Sequence, residues 1–141
     1  MALTSGLGGQ LNIDLGALAR NWRALDKVSA GALTGAVVKA DAYGTGIAMS
    51  ARALHAAGAR FFFVATPDEG LAVRASVPDA HIFVLNGLYP GAANLYIRQN
   101  LMPVIASMAM LEEWLAKCLE RNEAYPAALH FDTGINRLGF R

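Results

Sequence analysis

Hydrophobic positions change their spacing repeatedly along the 141-residue chain. Apolar residues that recur every three or four positions predict helices, whereas short runs that are apolar on both faces predict strands of a buried parallel sheet. The segments with helical spacing are 13–27, 47–57, 67–75, 92–99 and 108–121. The short apolar runs are 33–38, 61–65, 82–85, 103–106 and 127–131. The sequence therefore predicts a helix, then a strand followed by a helix four times, then a fifth strand.

Residues that start and stop helices support this division. Asp14 and Ser107 are placed to cap the first and last helices, because a short polar side chain accepts hydrogen bonds from the first free N–H groups. Residues 66–69, TPDE, combine a cap, a proline at the first helical position and acids in the first turn. Gly58 follows the second helix, as glycine commonly does at a helix end.

The alternation of strands and helices predicts an α/β protein with a parallel sheet. Two architectures fit this alternation, an open doubly wound sheet and part of an eight-stranded barrel. A dinucleotide-binding sheet is expected to carry G-x-G-x-x-G after its first strand, and residues 39–46 read KADAYGTG instead. This difference disfavours the dinucleotide-binding sheet but does not select the barrel.

Composition and charge exclude several classes of protein. With 55% hydrophobic and 16% charged residues, the chain is not expected to be disordered. Twelve basic and eleven acidic residues are scattered, so neither nucleic acid nor an acidic membrane surface is an expected partner. No apolar run approaches the ~18 residues of a membrane span.

The single cysteine and the first residues carry little chemistry. Cys118 lies in an apolar-periodic run and is expected to be a buried or half-buried hydrophobe rather than a nucleophile. The opening, MALTSGLGGQ, has no charged segment followed by an apolar stretch, so no signal peptide is expected. The default expectation is a cytoplasmic protein, and we expect no metal site.

A lysine stands at the carboxyl end of the first predicted strand. Lys39 follows three apolar residues, and active sites of parallel sheets collect at this end of the strands. A partly desolvated lysine has a lowered pKa and can form a Schiff base with an aldehyde. Tyr43 could hydrogen-bond a phosphate, and Gly44 and Gly46 would allow close backbone approach. From spacing alone, a solvated lysine and an ordinary turn are equally acceptable interpretations.

An arginine follows the fifth predicted strand in the run 132–139, DTGINRLG. The guanidinium of Arg137 can hold a carboxylate or a phenolate oxygen with a fixed fork of donors. If Arg137 and Lys39 share one face at the strand ends, they form an anion-binding site with a possible amine nucleophile. A surface arginine in a glycine-rich turn is the alternative interpretation.

Two motifs resemble those of a known family. Residues 36–44, AVVKADAYG, closely resemble the pyridoxal-phosphate attachment motif of alanine racemases, and residues 130–140, HFDTGINRLGF, resemble the motif of their fifth strand. Further similarity is found in residues 12–18, NIDLGAL, in residues 63–66, FVAT, and in Glu69 and Arg74. The resemblance covers nearly the whole chain in order. It implies the N-terminal portion of a (β/α)8 TIM-type barrel that binds pyridoxal phosphate.

The resemblance also implies roles for five residues. Lys39 is implied to hold pyridoxal phosphate covalently and to serve as one of two bases that remove and return the α-proton. Tyr43 is implied to bind the cofactor phosphate. Arg137 is implied to face both the phenolic oxygen of the cofactor and the substrate carboxylate. Val37 and Leu85 are implied to line the cofactor pocket.

Three positions depart from the family pattern. Thr45 stands where many members have histidine, and Asp41 replaces a common asparagine. His130 stands where many members carry a carboxylated lysine that braces the arginine, and histidine forms no stable carbamate. A different group is therefore expected to brace Arg137.

The chain is also shorter than a member of this family. The resemblance implies that residues 1–141 form an incomplete barrel domain, without the second half of the barrel and a β-rich domain. The second base of the family is a tyrosine of that later domain, contributed across a homodimer interface. We therefore expect this chain alone to be inactive.

The implied function is racemisation of L-alanine and D-alanine, which supplies D-alanine for peptidoglycan. A basic amino-acid decarboxylase shares the barrel and a similar lysine motif, and a non-catalytic pyridoxal-phosphate carrier is the other alternative. The tyrosine and glycine of residues 43–44 and the run 132–139 favour the racemase.

Overall fold

The computed structural model describes residues 9–141. Residues 1–8, which make up most of the segment inspected for a signal peptide, lie outside the described residues. The helices are α1 (Leu15–Val28), α2 (Ile47–Ala57), α3 (Pro67–Ser76), α4 (Ala93–Arg98) and α5 (Met108–Arg121). The strands are β1 (Ala36–Val37), β2 (Phe61–Val64), β3 (His81–Val84), β4 (Leu101–Ile105) and β5 (Ala128–Leu129). None of these helices has the length and apolar character needed to cross a bilayer.

The strand order decides between the two predicted architectures. All five strands are parallel and lie in the order β1-β2-β3-β4-β5, so each strand pairs with the next one along the chain. A doubly wound sheet reverses its strand order at a switch point, whereas a (β/α) barrel keeps sequential neighbours throughout. The fold is therefore the first five strands of a barrel-type sheet. Among the described residues, no strand pairs with the outer edges of β1 and β5.

The two faces of the sheet differ in what covers them. Phe62, Val64, Ile82 and Val84 point to the helical side and are fully buried. The alternate residues point to the inner, barrel side, because successive side chains of a strand face opposite ways. On that side the rings of Phe63 and Phe83 stack with centroids 5.0 Å apart, and Val37 remains 47% exposed.

Arg74 of α3 forms hydrogen bonds with the loops that precede β3 and β4. Its guanidinium donates to the carbonyl oxygens of Gln99 (3.1 Å), Pro78 (2.7 Å), Ala80 (2.8 Å) and Asn100 (2.6 Å). Partial burial is the main influence on the pKa of this guanidinium and lowers it. One side chain thereby fixes the segments that lead into β3 and β4.

The predicted helix starts are confirmed. Asp14 accepts a hydrogen bond from Ala17 N at 2.9 Å, and Ser107 accepts one from Met110 N at 3.4 Å. Thr66 forms a reciprocal capping box with the third helical residue of α3. These features depend on neighbours within one turn, which is why the local sequence predicts them.

Strand boundaries differ more from the predicted ones. The predicted fourth strand starts at Pro103, but β4 starts at Leu101. The structure places Pro103 inside β4, opposite Val84 of β3. The regular pairing of β1 and β5 covers two residues each, although 33–38 and 127–131 were predicted. Both are edge strands of the described sheet, with one neighbour each to extend their ladders.

Candidate active site at the carboxyl ends of the strands

Lys39 lies two residues beyond β1. Val37 pairs with Phe63, and Val38 N donates to Phe63 O at 2.9 Å, a hydrogen bond that belongs to this pair. The backbone then leaves the extended conformation at Val38, where φ is −123° and ψ is 19°. The side chain of Val38 is buried, and Lys39 is half-buried.

Leu85 directly follows β3 at the same end of the sheet. Leu85 N donates to Val64 O at 2.8 Å, a hydrogen bond of the Val64–Val84 pair. Because β1, β2 and β3 are parallel neighbours, Lys39, Ala65 and Leu85 all follow the carboxyl ends of adjacent strands. Val37 is the last residue of β1. The three residues Val37, Lys39 and Leu85, predicted for one site, therefore lie at one end of the sheet.

The chain turns sharply after Lys39. An ordinary turn was one interpretation of this segment, but the backbone forms one turn of left-handed helix, here called the left-handed turn (Lys39–Gly44). Its residues Ala40, Asp41, Ala42 and Tyr43 have φ of 52°, 52°, 53° and 56°. An L-residue in this conformation costs about 1–2 kcal/mol. Four in succession store strain next to the lysine, which is typical of functional sites.

Local hydrogen bonds hold part of the left-handed turn. Ala42 N donates to Val38 O at 2.9 Å, and the Oδ1 atom of Asp41 accepts from Ile47 N at 2.7 Å, at the start of α2. The hydroxyl of Thr45 donates to Ala42 O at 2.6 Å and bonds the Ser50 hydroxyl. Asparagine has the same acceptor oxygen as Asp41, so this departure from the family pattern preserves the contact. Thr45 likewise has a structural role of its own.

Glu69 connects the left-handed turn to the neighbouring strand. Its Oε1 atom accepts from Ala40 N at 2.7 Å, and its Oε2 atom accepts from Ala65 N at 2.7 Å and from Thr66 N at 3.3 Å. From the sequence, Glu69 was predicted only to be an acidic residue in the first turn of a helix and one of the positions similar to the family. The bond to Ala40 crosses 29 positions of the chain, and no local pattern signals it.

Tyr43 ends the left-handed turn with its side chain 65% exposed. Gly44 follows with φ of 84° and has open space around the position of an added Cβ. The turn thus presents a phenol and an unobstructed backbone at the carboxyl end of β1. Both are suited to contact with a phosphate group.

Arg137 lies in a closed loop after β5. Phe140 N donates to His130 O and Asp132 N to Phe140 O, both at 2.8 Å, which joins the two ends of the loop. Gly139 has φ of 113°, and a Cβ there would lie 2.7 Å from Asp132 N, so only glycine allows this closure. Arg137 itself is exposed.

Asp132 organises the same loop from within. Its Oδ1 atom accepts from Asn136 N at 3.0 Å and from Gly134 N at 3.1 Å. These backbone hydrogen bonds, that from Asn136 first, hold the pKa of the Asp132 carboxyl below its usual range. The loop that carries Arg137 is therefore ordered by an ionised carboxylate.

The structure brings Arg137 to the same end of the sheet as Lys39, since β1 and β5 are parallel. It does not place the two beside each other, because their strands form opposite edges of the five. Four strand spacings of about 4.8 Å separate these edges along the curved sheet. His130 is half-buried and, by the register of β5, belongs to the inner face between them.

A cavity of about 190 Å³ lies elsewhere, lined by residues that include Trp22, Thr34 and Arg60. Thr34 and Arg60 precede the amino ends of β1 and β2, opposite the end that carries Lys39, and Trp22 belongs to α1. The cavity is therefore separate from the candidate site.

Comparison with known proteins agrees with this geometry. The sequence model of the family described as alanine racemase, N-terminal domain, matches residues 13–141. The chain belongs to the alanine racemase family.

Relatives and solved structures of the family match over a part of their length. Alanine racemase from Methylobacterium sp. (strain 4-46) is 54% identical over 139 residues, which are 99% of this chain and 38% of that protein. The biosynthetic alanine racemase of Agrobacterium fabrum is 52% identical over 130 residues, 92% of this chain and 33% of that protein. Alanine racemase from Bartonella henselae, solved with covalently bound pyridoxal phosphate, superposes with a TM-score of 0.88. It is 38% identical, and the match covers 90% of this chain and 37% of that one. The chain thus spans under two fifths of the length of these relatives.

The residues of the site fit pyridoxal phosphate chemically. The amine of the half-buried Lys39 suits its aldehyde, and the apolar side chains of Val37 and Leu85, at the same end of the sheet, suit its aromatic ring. Tyr43 is exposed at the end of the left-handed turn, where a phosphate can be reached.

Proposed function

We propose that this chain forms the cofactor-binding part of a pyridoxal-phosphate-dependent racemase that interconverts L-alanine and D-alanine. The observation that carries the proposal is the position of Lys39. Lys39 lies half-buried just after the carboxyl end of β1, at the start of the strained left-handed turn. A lysine with a purely solvating role requires neither partial burial at a strand end nor strain next to it.

Each proposed role follows from the chemistry of a side chain. Pyridoxal phosphate, when bound, supplies an electron-accepting ring that makes the Cα proton of an amino acid acidic. Lys39 would hold the cofactor covalently in the resting protein, and its amine, when it is not bonded to the cofactor, would take and return the Cα proton on one side. The hydroxyl of Tyr43 donates to the phosphate. Arg137 binds the phenolic oxygen and the substrate carboxylate, and Val37 and Leu85 exclude water from the ring.

Racemisation requires a second acid and base group on the opposite side of Cα. Lys39 serves one side only. We propose that the second group is a tyrosine of a β-rich domain outside residues 1–141, contributed by the other subunit of a homodimer. In this proposal residues 1–141 are an incomplete barrel domain, inactive by itself. The whole enzyme acts in the cytoplasm and supplies D-alanine for peptidoglycan.

The first experiment mixes the 141-residue chain with pyridoxal phosphate and records its absorbance. We expect a band near ~420 nm, typical of a lysine bound to the aldehyde, that disappears in Lys39→Ala. Lys27→Ala is the control, because Lys27 lies in the last turn of α1, away from the strand ends. A band that survives in Lys39→Ala contradicts the assignment of Lys39.

A chimaera tests the reaction itself. Residues 13–141 replace the matching segment of the Methylobacterium alanine racemase, which is 54% identical to this chain. We expect the chimaera to form D-alanine from L-alanine and its Lys39→Ala variant to lose this activity. Release of carbon dioxide from lysine or ornithine favours the decarboxylase instead. Cofactor absorbance without any turnover favours a carrier.

A further inference from the structure

Glu69 makes contacts that a helix-capping residue does not need. A capping box requires its glutamate to accept only from the backbone N–H of the cap residue. In α3 the Oε2 atom fulfils this role, with Thr66 N at 3.3 Å and Ala65 N at 2.7 Å. The Oε1 atom is then free, and it accepts from Ala40 N at 2.7 Å.

The two N–H groups at 2.7 Å belong to residues that follow neighbouring strands. Ala40 directly follows Lys39 after β1, and Ala65 directly follows β2. One carboxylate therefore joins the segments at the carboxyl ends of both strands, one of them next to the lysine. A carboxylate has two oxygens that both accept, so it can serve two donors at once.

Among the described residues, the bond to Glu69 is the one side-chain hydrogen bond that joins the left-handed turn to a residue distant in the sequence. The remaining side-chain hydrogen bonds of residues 39–46 in the described chain join partners within six positions. They shape the turn but cannot fix it relative to β2. Glu69 is the side chain that holds the first strained residue, Ala40, against the neighbouring unit of the barrel.

We propose that Glu69 is a positioning residue for Lys39. Its carboxylate clamps the ends of β1 and β2 and keeps the left-handed turn in place, so that the amine of Lys39 is held in one position. The effect on the cofactor rests on the proposed function above, whereas the effect on the backbone does not.

The test compares Glu69→Gln with Thr66→Ala in the 141-residue chain. Glutamine has one accepting oxygen and one donating NH2 group, so it cannot accept from both strands. Its oxygen is expected to stay on the two donors Ala65 N and Thr66 N, which leaves its NH2 group facing Ala40 N. Thr66→Ala removes the other half of the capping box, because Thr66 Oγ1 accepts from Glu69 N, but leaves the carboxylate on Ala40. If Glu69 acted only as a helix cap, amide exchange at Ala40 would change equally in both variants.

The first readout is amide hydrogen exchange at Ala40, measured by NMR. In Glu69→Gln we expect exchange to rise about tenfold or more, as for loss of a hydrogen bond to a charged group. In Thr66→Ala it should stay within about twofold of the wild type. Equal exchange at Ala40 in all three proteins overturns the proposal and leaves Glu69 as a cap. This readout decides the proposal even if the chain captures no cofactor.

The second readout is capture of pyridoxal phosphate at Lys39, fixed by borohydride and located by peptide mass spectrometry. We expect slower capture in Glu69→Gln and an unchanged rate in Thr66→Ala. Absence of capture in the wild type contradicts the proposed function but not the clamp. Glu69→Asp is the second variant if Glu69→Gln fails to fold. Its shorter side chain keeps the charge and the cap but does not reach Ala40, so faster exchange at Ala40 is again expected.

Discussion

Glycine at position 40 is expected to stabilise the protein, although glycine normally destabilises a helix. Ala40 is exposed and has φ of 52° and ψ of 51°, so its Cβ makes the conformation unfavourable. Glycine removes a penalty of about 1–2 kcal/mol but loses about 0.5–1 kcal/mol more conformational entropy on folding. Its N–H remains available to Glu69. The net gain in the free energy of unfolding therefore lies between about 0 and 1.5 kcal/mol, with a central value of about 0.75 kcal/mol.

A matched control reverses the sign. Ala116 is also exposed but lies inside the right-handed helix α5, where Ala→Gly costs about 1 kcal/mol. Urea unfolding of the wild type, Ala40→Gly and Ala116→Gly measures both effects. We expect the midpoint to rise for the first variant and to fall for the second, with similar slopes. If Ala40→Gly destabilises the protein as much as Ala116→Gly does, residue 40 is not left-handed and the argument for strain beside Lys39 fails.

Two further predictions concern single side chains outside the left-handed turn. Arg74→Ala should lower the free energy of unfolding, measured in urea, by about 2–4 kcal/mol, because four backbone carbonyls lose a charged donor. The control Arg98→Ala, at an exposed position, should lower it little. Equal decreases in the two variants refute the cross-linking role of Arg74. The pKa of Asp132 is lowered in the folded protein from its ordinary value of 3.8. The Asp132 carboxylate therefore stabilises the loop fully above pH 3.8, and this stabilisation is lost as the pH falls through the lower pKa of the folded state. The amide signals of Gly134 and Asn136 should therefore shift together only in acid below pH 3.8. Asp132→Asn keeps an accepting oxygen and should abolish that transition, and a transition that persists in it excludes Asp132 as the titrating group.

The sequence predicts those parts of the structure that depend on near neighbours. The caps at Asp14, Thr66 and Ser107 each involve residues three positions apart, so both partners are visible in one short window. The choice between an open sheet and a barrel was different, because it depends on which strands pair. Local hydrophobic spacing is the same in both, and the sequential strand order decided it.

The left-handed turn could not be predicted from residue preferences. Residues 40–43, ADAY, contain no glycine, and all four prefer right-handed or extended backbone. Their conformation is imposed by the burial of Ala42 and by the carboxylate of Glu69, which comes from another part of the chain. The candidate residues Val37, Lys39 and Leu85 were predicted for one site on resemblance, and their common position at one end of the sheet depends on strand pairing that no sequence window contains.

The sequential order of the strands also has a consequence for how the protein folds. Ala36 pairs with Phe62, Ile82 with Leu101 and Val104 with Ala128, so each pairing requires only the strand that follows next in the chain. Contacts are therefore close in sequence for a parallel sheet, which favours fast folding. During translation, when the N-terminal part of a chain leaves the ribosome first, β1 and β2 can pair as soon as Phe62 has emerged. The sheet can then grow one unit at a time, and the lysine turn is in place before the last strands are synthesised.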